Sequence, residues 1–233
     1  MTKLLLGLTT TPGSDWREKA REIDELGIEE ISLFPTFIKI EERAILFNLL
    51  GKSRLKSIPH VHLRDDHTKA EINFLVERFD TRVFNMHPTA AGLGTLNLLK
   101  EMGLSGYMEN LNEITEEAIQ ILDQSLGLCF DYSHYEEHWV MCHEEGYRIF
   151  PELLKKYKIG CGHISAIRQE KYQETNGEWH NSIHRFSNLS EFDYMKKYTE
   201  DMPELICIEL ENNFKEQLQV KSYVEEIIRK GQR

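Results

Sequence analysis

Short apolar runs alternate with longer amphipathic segments along the whole 233-residue chain. Each run has the length of a buried strand, and each segment between two runs has the apolar spacing of a helix. Strands that alternate with helices pair in parallel through right-handed crossovers. The predicted strands are Leu4–Leu8, Glu30–Phe34, Ser57–Leu63, Arg82–Met86, Gly106–Glu109, Gly127–Asp131, Ile159–His163 and Leu205–Glu209.

Capping signals support the predicted helices. Asp15 and Glu18 have the spacing of a helix N-cap and its third residue, and Gly27 and Gly103 stand where helices end. The predicted helices are Asp15–Leu26, Glu42–Leu50, Thr68–Arg78, Thr95–Met102, Glu113–Gln124, Tyr147–Lys156, Ser190–Thr199 and Phe214–Lys230. Eight strand–helix units of this length predict one α/β domain over residues 1–233, a (β/α)8 TIM barrel. A doubly wound sheet is the alternative.

Two predicted connections are long. Tyr132–Gly146 follows the sixth strand, and Ile164–Leu189 follows the seventh. We expect both to be loops, including the segment YEEH that ends at His138. Loops that follow strands lie on the active face of a barrel, so these two predict lids or binding loops.

The charge and composition of the chain limit the classes of binding partner and the compartment that we expect. The net charge of −11 and the pI near 5.4 argue against a nucleic-acid partner and against an anionic membrane surface. The apolar run in MTKLLLGLTT is too short to span a membrane, and no cleavage site follows it, which predicts a cytoplasmic protein. The four cysteines lack CxxC spacing and are expected to be reduced. The sequence leaves open whether the chain forms a homo-oligomer.

Metal-capable side chains close nearly every predicted strand from the third onward. In a barrel these strand ends meet at one rim. A single aspartate or histidine at a strand end is an ordinary cap, but the whole set predicts a divalent-metal site there. In strand order, the set is His60 and His62, His87, Glu109, Asp131 with His134, His163, and Glu209.

A cysteine precedes three of these residues by two positions. The motifs are Cys129-Phe-Asp131, Cys161-Gly-His163 and Cys207-Ile-Glu209. Because side chains alternate faces along a strand, each cysteine and its partner point the same way, into the barrel. A carboxylate that points inward is costly without a counter-charge, and a divalent cation offsets that cost. We expect the thiols, one layer deeper, to fill the core rather than to bind metal.

This ordered set of motifs resembles the xylose isomerase-like barrel superfamily, which includes sugar and sugar-phosphate isomerases and epimerases as well as endonuclease IV. The isomerase branch implies that Glu109, Asp131, His163 and Glu209 hold one Mn, Zn, Mg or Co ion. It also implies that the two glutamates exchange the substrate proton through an enediolate. His134 and Arg168 are the implied substrate contacts, although the spacing of Arg168 departs from the pattern.

The endonuclease IV branch implies a multi-zinc site instead. There His60 of IPHVHL, His87 of NMHP and His134 become further ligands. That branch has an Asp-x-His in the long loop after the seventh strand, whereas this chain has Ser182-Ile-His184. The missing aspartate puts a third metal in doubt and leaves His184 as a ligand or a substrate contact. Independently of the resemblance, Trp179 is a candidate for stacking on a sugar.

Three functions therefore stay open. The leading one is metal-dependent isomerisation or epimerisation of a small-molecule sugar or sugar phosphate. An endonuclease IV-like multi-zinc phosphoesterase is the second. A non-catalytic barrel that binds metal or sugar is the third, because a fold alone does not establish catalysis.

Overall fold

The computed structural model describes residues 2–111, 113–173, 177 and 179–232. The main sheet is a parallel barrel ringed by helices, so the predicted (β/α)8 fold is confirmed. Its strands are β1 (Lys3–Leu5), β2 (Gly7–Thr9), β3 (Glu30–Phe34), β4 (Ser57–His62), β5 (Val83–Met86), β6 (Tyr107–Glu109), β7 (Leu128–Asp131), β8 (Ile159–Ile164) and β11 (Leu205–Ile208). A hairpin of β9 (Ala166–Gln173) and β10 (Trp179–Ile183) stands outside the barrel.

Helices follow most barrel strands and pack their apolar faces on the sheet. Their order agrees with the prediction, and the largest difference is that α4 begins at Ala90 instead of Thr95. Thr89 accounts for this, because its side chain accepts a hydrogen bond from the Gly92 N–H and caps the helix there. The helices are α1 (Trp16–Leu26), α2 (Ile40–Lys52), α3 (Lys69–Phe79), α4 (Ala90–Glu101), α5 (Glu116–Leu122), α6 (Tyr132–Tyr135), α7 (Phe150–Lys156) and α8 (Phe214–Gly231). A 3-10 helix forms at Leu189–Lys197. Across the described residues, no helix is long and apolar enough to cross a membrane.

The first barrel strand is split in two. β1 pairs with β11, β2 pairs with β3, and together they close the barrel. Between β2 and β11 the backbones approach too closely for a side chain: a Cβ on Gly7 would lie 1.8 Å from the carbonyl oxygen of Ile208. The residue at this seam must therefore be glycine.

Two buried side chains replace the missing strand pairing at this seam. The Gln217 amide accepts from the Gly7 N–H at 2.8 Å and donates to the carbonyl oxygens of Gly7, Leu210 and Asn212 at 2.9, 3.2 and 2.8 Å. Lys19 Nζ donates to the Leu210 carbonyl oxygen at 2.6 Å. Burial lowers the pKa of Lys19 to about 7, although nearby glutamates oppose the shift.

The two long connections contain regular structure, so the prediction of irregular loops there was wrong. The first forms α6 and a π-helix, Glu136–Met141, and the second forms the β9–β10 hairpin. Glu137 joins them: its buried carboxylate accepts from the N–H groups of Asn181 and Ser182 at 2.7 and 3.0 Å and from the Ser182 hydroxyl. This long-range contact has no local sequence signal, which explains the error.

Candidate metal centre

Four strand-end side chains meet at the carboxyl-terminal rim of the barrel. Glu109 closes β6, Asp131 closes β7, His163 lies near the end of β8, and Glu209 directly follows β11. One ligand atom from each lies within 4.8 Å of the other three, and all four residues are buried. Asp131 is directly opposite His163, and Glu109 is opposite Cys129, two residues before Asp131. The four side chains converge because the carboxyl ends of all the parallel strands lie at one rim of the barrel.

The His163 ring lies between the two glutamates. Its Nδ1 is 3.3 Å from Glu109 Oε2 and 3.3 Å from Glu209 Oε2. The angles do not suit a hydrogen bond, so this buried nitrogen has no hydrogen-bond partner among the described residues. Buried polar atoms are rarely left unpaired. A nitrogen that faces two carboxylates across such a gap fits a divalent cation bound between them.

The electrostatics of this group favour a cation. Burial alone would raise the pKa of Glu209, but His163 and His184 lower it to about 2. Burial opposes the ionisation of Glu109 as well, and the neighbouring His163 and His62 rings hold its pKa well below the usual range. Burial alone would lower the pKa of His163, but the charges of Glu109 and Glu209 have the larger effect and raise it well above its ordinary value. Two ionised carboxylates therefore flank a protonated His163 ring in one buried space, and a metal ion that replaces this proton would offset their repulsion in the same way.

Asp131 has a double role at the end of β7. Its Oδ1 caps α6 by accepting from the Ser133 hydroxyl at 2.5 Å and from the His134 N–H at 2.9 Å. Its backbone exchanges two hydrogen bonds with the Asn110 side chain, at 2.8 and 2.9 Å. These contacts hold the carboxylate rigidly, and its Oδ2 lies 3.8 Å from His134 Nε2. Capping and metal ligation are thus compatible at this residue.

A second metal-capable group shares Glu109 and consists of His62, His87 and Glu109. His62 Nδ1 is 3.3 Å from Glu109 Oε2, which also accepts from Asn85 Nδ2 at 2.6 Å. Burial lowers the pKa of His62 to about 4 despite the nearby glutamate, so its ring is neutral, the form that binds metals. His62, and not His60 as the endonuclease IV resemblance implied, is therefore the histidine that shares a metal-capable group with His87.

The strand register explains why His60 lies elsewhere. In the β4–β5 pair, His62 is opposite Asn85, near the strand end, whereas His60 is opposite Val83, two residues deeper. His60 Nδ1 is 2.7 Å from Ser32 Oγ, and its Nε2 is 3.4 Å from His163 Nε2. The pattern His-x-His does place both rings inside the barrel, but only the second reaches the rim. Strand alternation together with the strand end would have indicated His62.

The predicted substrate contacts divide into two groups. His134 and His184 border the quartet, since His184 Nε2 is 3.9 Å from Glu209 Oε1. Arg168 lies on the hairpin and pairs with Glu191 at 3.3 Å, with a further bond to the Arg185 carbonyl oxygen. Trp179 begins β10 and is 57% exposed. The structure thus brings the two histidines to the metal centre, whereas the contacts of Arg168 are directed toward the 3-10 helix.

Sequence reasoning missed two polar residues beside the quartet. Asn85 orients Glu109, and Asn110 fixes the backbone of Asp131. Both lie at or next to strand ends, in the segments VFNMHP and GYMEN. Buried asparagines at such positions were the available signal, because a buried amide must be hydrogen-bonded.

No family model matches the chain, and no curated protein matches it by sequence. Solved structures are similar to it, among them the following three. The first, a crystal structure of "IOLI protein with a binding zinc atom", is 12% identical, with a TM-score of 0.51 over 98% of this chain and 96% of that one. The second, a xylose isomerase domain protein from Planctomyces limnophilus, is 8% identical, with a TM-score of 0.49 over 98% of each chain. The third, 3-keto-D-glucoside 4-epimerase, YcjR, from E. coli, is 11% identical, with a TM-score of 0.47 over 96% of this chain and 100% of that one. The chain therefore has a (β/α)8 barrel fold similar to that of the IolI protein.

Proposed function

We propose that this protein is a divalent-metal-dependent isomerase or epimerase that acts on a sugar or sugar phosphate. One observation carries the proposal. The carboxylates of Glu109 and Glu209 flank the same histidine nitrogen, each at 3.3 Å, at the rim of the barrel. Paired carboxylates beside a cation are the groups needed to remove a proton next to a carbonyl and to return it.

The quartet is suited to a transition metal. Glu109, Asp131, Glu209 and His163 provide three carboxylates and one imidazole, a set that favours Mn²⁺, Co²⁺ or Zn²⁺ and also accommodates Mg²⁺. The IolI protein, which has the same fold, has a zinc atom in its structure, and this supports a metal here. When bound, the ion supplies polarisation of the substrate carbonyl.

The protein's own side chains perform the proton transfer in this proposal. One of Glu109 and Glu209 accepts the proton from the carbon beside the carbonyl, which leaves the sugar as an enediolate. The other glutamate, also ionised at rest, first takes up a proton from solvent and then delivers it to the neighbouring carbon or to the opposite face of the same carbon. The first glutamate later releases its proton to solvent. His134 and His184, which border the quartet, orient the sugar hydroxyls by hydrogen bonding. The buried setting excludes bulk water and strengthens these interactions.

Metal analysis combined with solvent exchange tests the proposal. The protein reconstituted with Mn²⁺ or Zn²⁺ is incubated with a panel of ketoses, aldoses and their phosphates in D₂O, and NMR measures deuterium at the exchanging carbon. We expect Glu209→Gln to lower the exchange rate by about 100-fold or more, as for the loss of a general base. Glu204→Gln is the matched control, since Glu204 is exposed at the other end of the same strand. Failure to bind a divalent metal, or exchange that survives Glu209→Gln, would contradict the proposal.

A multi-zinc phosphoesterase is the second candidate. The observation that favours it is the shared carboxylate: Glu109 belongs both to the quartet and to the group with His62 and His87. A bridging carboxylate of this kind holds two ions close enough to clamp a phosphodiester. Two or three zinc ions per chain, with hydrolysis of bis-p-nitrophenyl phosphate that His87→Ala abolishes, would favour this function. Metal binding without exchange or hydrolysis would instead indicate a binding protein.

A further inference from the structure

A layer of thiols lies directly beneath the candidate metal centre. Cys129 and Cys161 are opposite each other in the β7–β8 pair, and Cys207 is opposite His163 in the β8–β11 pair. All three cysteines are free and fully buried. Their positions in the sequence predict core filling, but the distances within this layer indicate another role for two of them.

A group of three ligand atoms lies in this layer, and His163 adjoins two of its members. His163 Nε2 is 3.4 Å from His60 Nε2 and 3.4 Å from Cys129 Sγ. One ligand atom each from His60, Cys129 and Cys161 lies within 4.8 Å of the other two. In a tetrahedral zinc site the bond lengths put two nitrogens about 3.3 Å apart and a nitrogen and a sulfur about 3.6 Å apart. The nitrogen–nitrogen distance is long for a hydrogen bond and close to this tetrahedral edge.

The surroundings of His60 are those of a metal-binding histidine. Its Nδ1 is 2.7 Å from Ser32 Oγ, so Nδ1–H can donate to the hydroxyl and leave a lone pair for a metal on Nε2, which lies 3.4 Å from His163 Nε2. Histidine ligands are usually oriented in this way by a hydrogen bond from the second nitrogen. Burial, reinforced by His163 and His62, lowers the pKa of His60 well below its ordinary value, which keeps the ring neutral.

We propose that His60, Cys129, Cys161 and Nε2 of His163 form a second metal site, of the soft zinc class, beneath the quartet. With this site alone occupied, two thiolates and two neutral imidazoles balance one Zn²⁺, so the site is neutral and can be buried. Binding releases the two thiol protons and the Nε2 proton of the His163 ring, because each ligand atom must be deprotonated to coordinate. The site goes beyond the proposed function and does not depend on sugar chemistry. The two centres share one ring, since His163 directs Nδ1 to the carboxylates and Nε2 to the thiol layer. A metal ion at both centres therefore makes this ring a bridging imidazolate and releases one more proton from it.

Cobalt spectroscopy on the full-length chain tests this second site. After chelation, the protein is titrated with Co²⁺, and the near-ultraviolet spectrum is recorded for the sulfur-to-cobalt charge-transfer band. We expect the band in the wild-type protein, its loss in Cys129→Ser and Cys161→Ser, and the loss of one metal equivalent per chain in each. Cys207→Ser is the matched control, because Cys207 is buried in the same layer outside the ligand set, and it should retain the band.

The wild-type spectrum decides the question even if a variant fails to fold. Saturation of the wild-type protein with Co²⁺ without any charge-transfer band would overturn the second site, and so would a band that both serine variants retain. Asp131→Asn separates this proposal from the proposed function. It should weaken metal binding at the quartet and leave the cobalt–sulfur band unchanged, whereas failure of the proposed function appears as missing deuterium exchange.

Discussion

Replacing Gln217 with methionine is expected to open the seam of the barrel. Methionine has a similar volume, so the change removes hydrogen bonds and leaves packing nearly intact. The Gly7 N–H and the Asn212 carbonyl oxygen lose the Gln217 amide, while Lys19 still donates to the carbonyl oxygens of Leu210 and Gly7, at 2.6 and 3.5 Å. A buried polar group left without a partner costs about 1–3 kcal/mol. For two such groups, with some relaxation, we expect the free energy of unfolding to fall by about 3 kcal/mol.

Urea unfolding followed by circular dichroism measures this loss. Gln219→Met is the matched control, because Gln219 lies on the same helix and is exposed. The seam also holds the segment that follows β11 and carries Glu209, so the Gln217 variant should bind divalent metal more weakly than the control. A difference in unfolding free energy below about 0.5 kcal/mol between the two variants, the range of ordinary surface changes, would refute the assignment of seam closure to Gln217.

Two further predictions concern a buried lysine and a buried glutamate. Because the pKa of Lys19 is lowered from 10.5 to about 7, only the unfolded chain keeps its proton between these values, so stability rises with pH in this window. Lys19→Met should remove about 2 kcal/mol of the increase in unfolding free energy between pH 7 and pH 9, and equal increases in both proteins would contradict the prediction. Glu137→Gln leaves one amide N–H of Asn181 or Ser182 without an acceptor, so hydrogen exchange at both amides should accelerate about 10-fold or more. The exposed Glu170→Gln on the same hairpin is its control, and unchanged protection in the Glu137 variant would show that the carboxylate does not hold the hairpin.

Local patterns were sufficient to predict the barrel. The strand Glu30–Phe34 was predicted with the bounds that the structure has, and the helix Phe214–Lys230 differs by one residue. The reason is that both are specified by nearby residues: a short apolar run in the first, and the Asn213–Glu216 capping box with a continuous apolar face in the second. The hairpin was missed because Lys171 and its neighbours on β9 are exposed and lack clear alternation.

The convergence of Glu109, Asp131, His163 and Glu209 also followed from the sequence, because each ends a strand and parallel strand ends share one rim. Their roles as ligands and proton-transfer groups stay predictions. The sequence did not predict which side chains lie at the rim and which lie in the layer below it. Which histidine of IPHVHL reaches the rim depends on the register of β4 against β5, and this register is set by packing of the whole sheet.

The sequence by itself determined the (β/α)8 fold and the set of acids and histidines at its rim, because strand periodicity and strand ends are local properties. Only the tertiary structure decided how the barrel closes, through Gln217 and Lys19 in place of strand pairing, and how Glu137 holds the hairpin. It also decided that His60 lies below the rim, with Nε2 3.4 Å from His163. These contacts join residues as many as 210 positions apart, and neither periodicity nor propensity carries information over such separations.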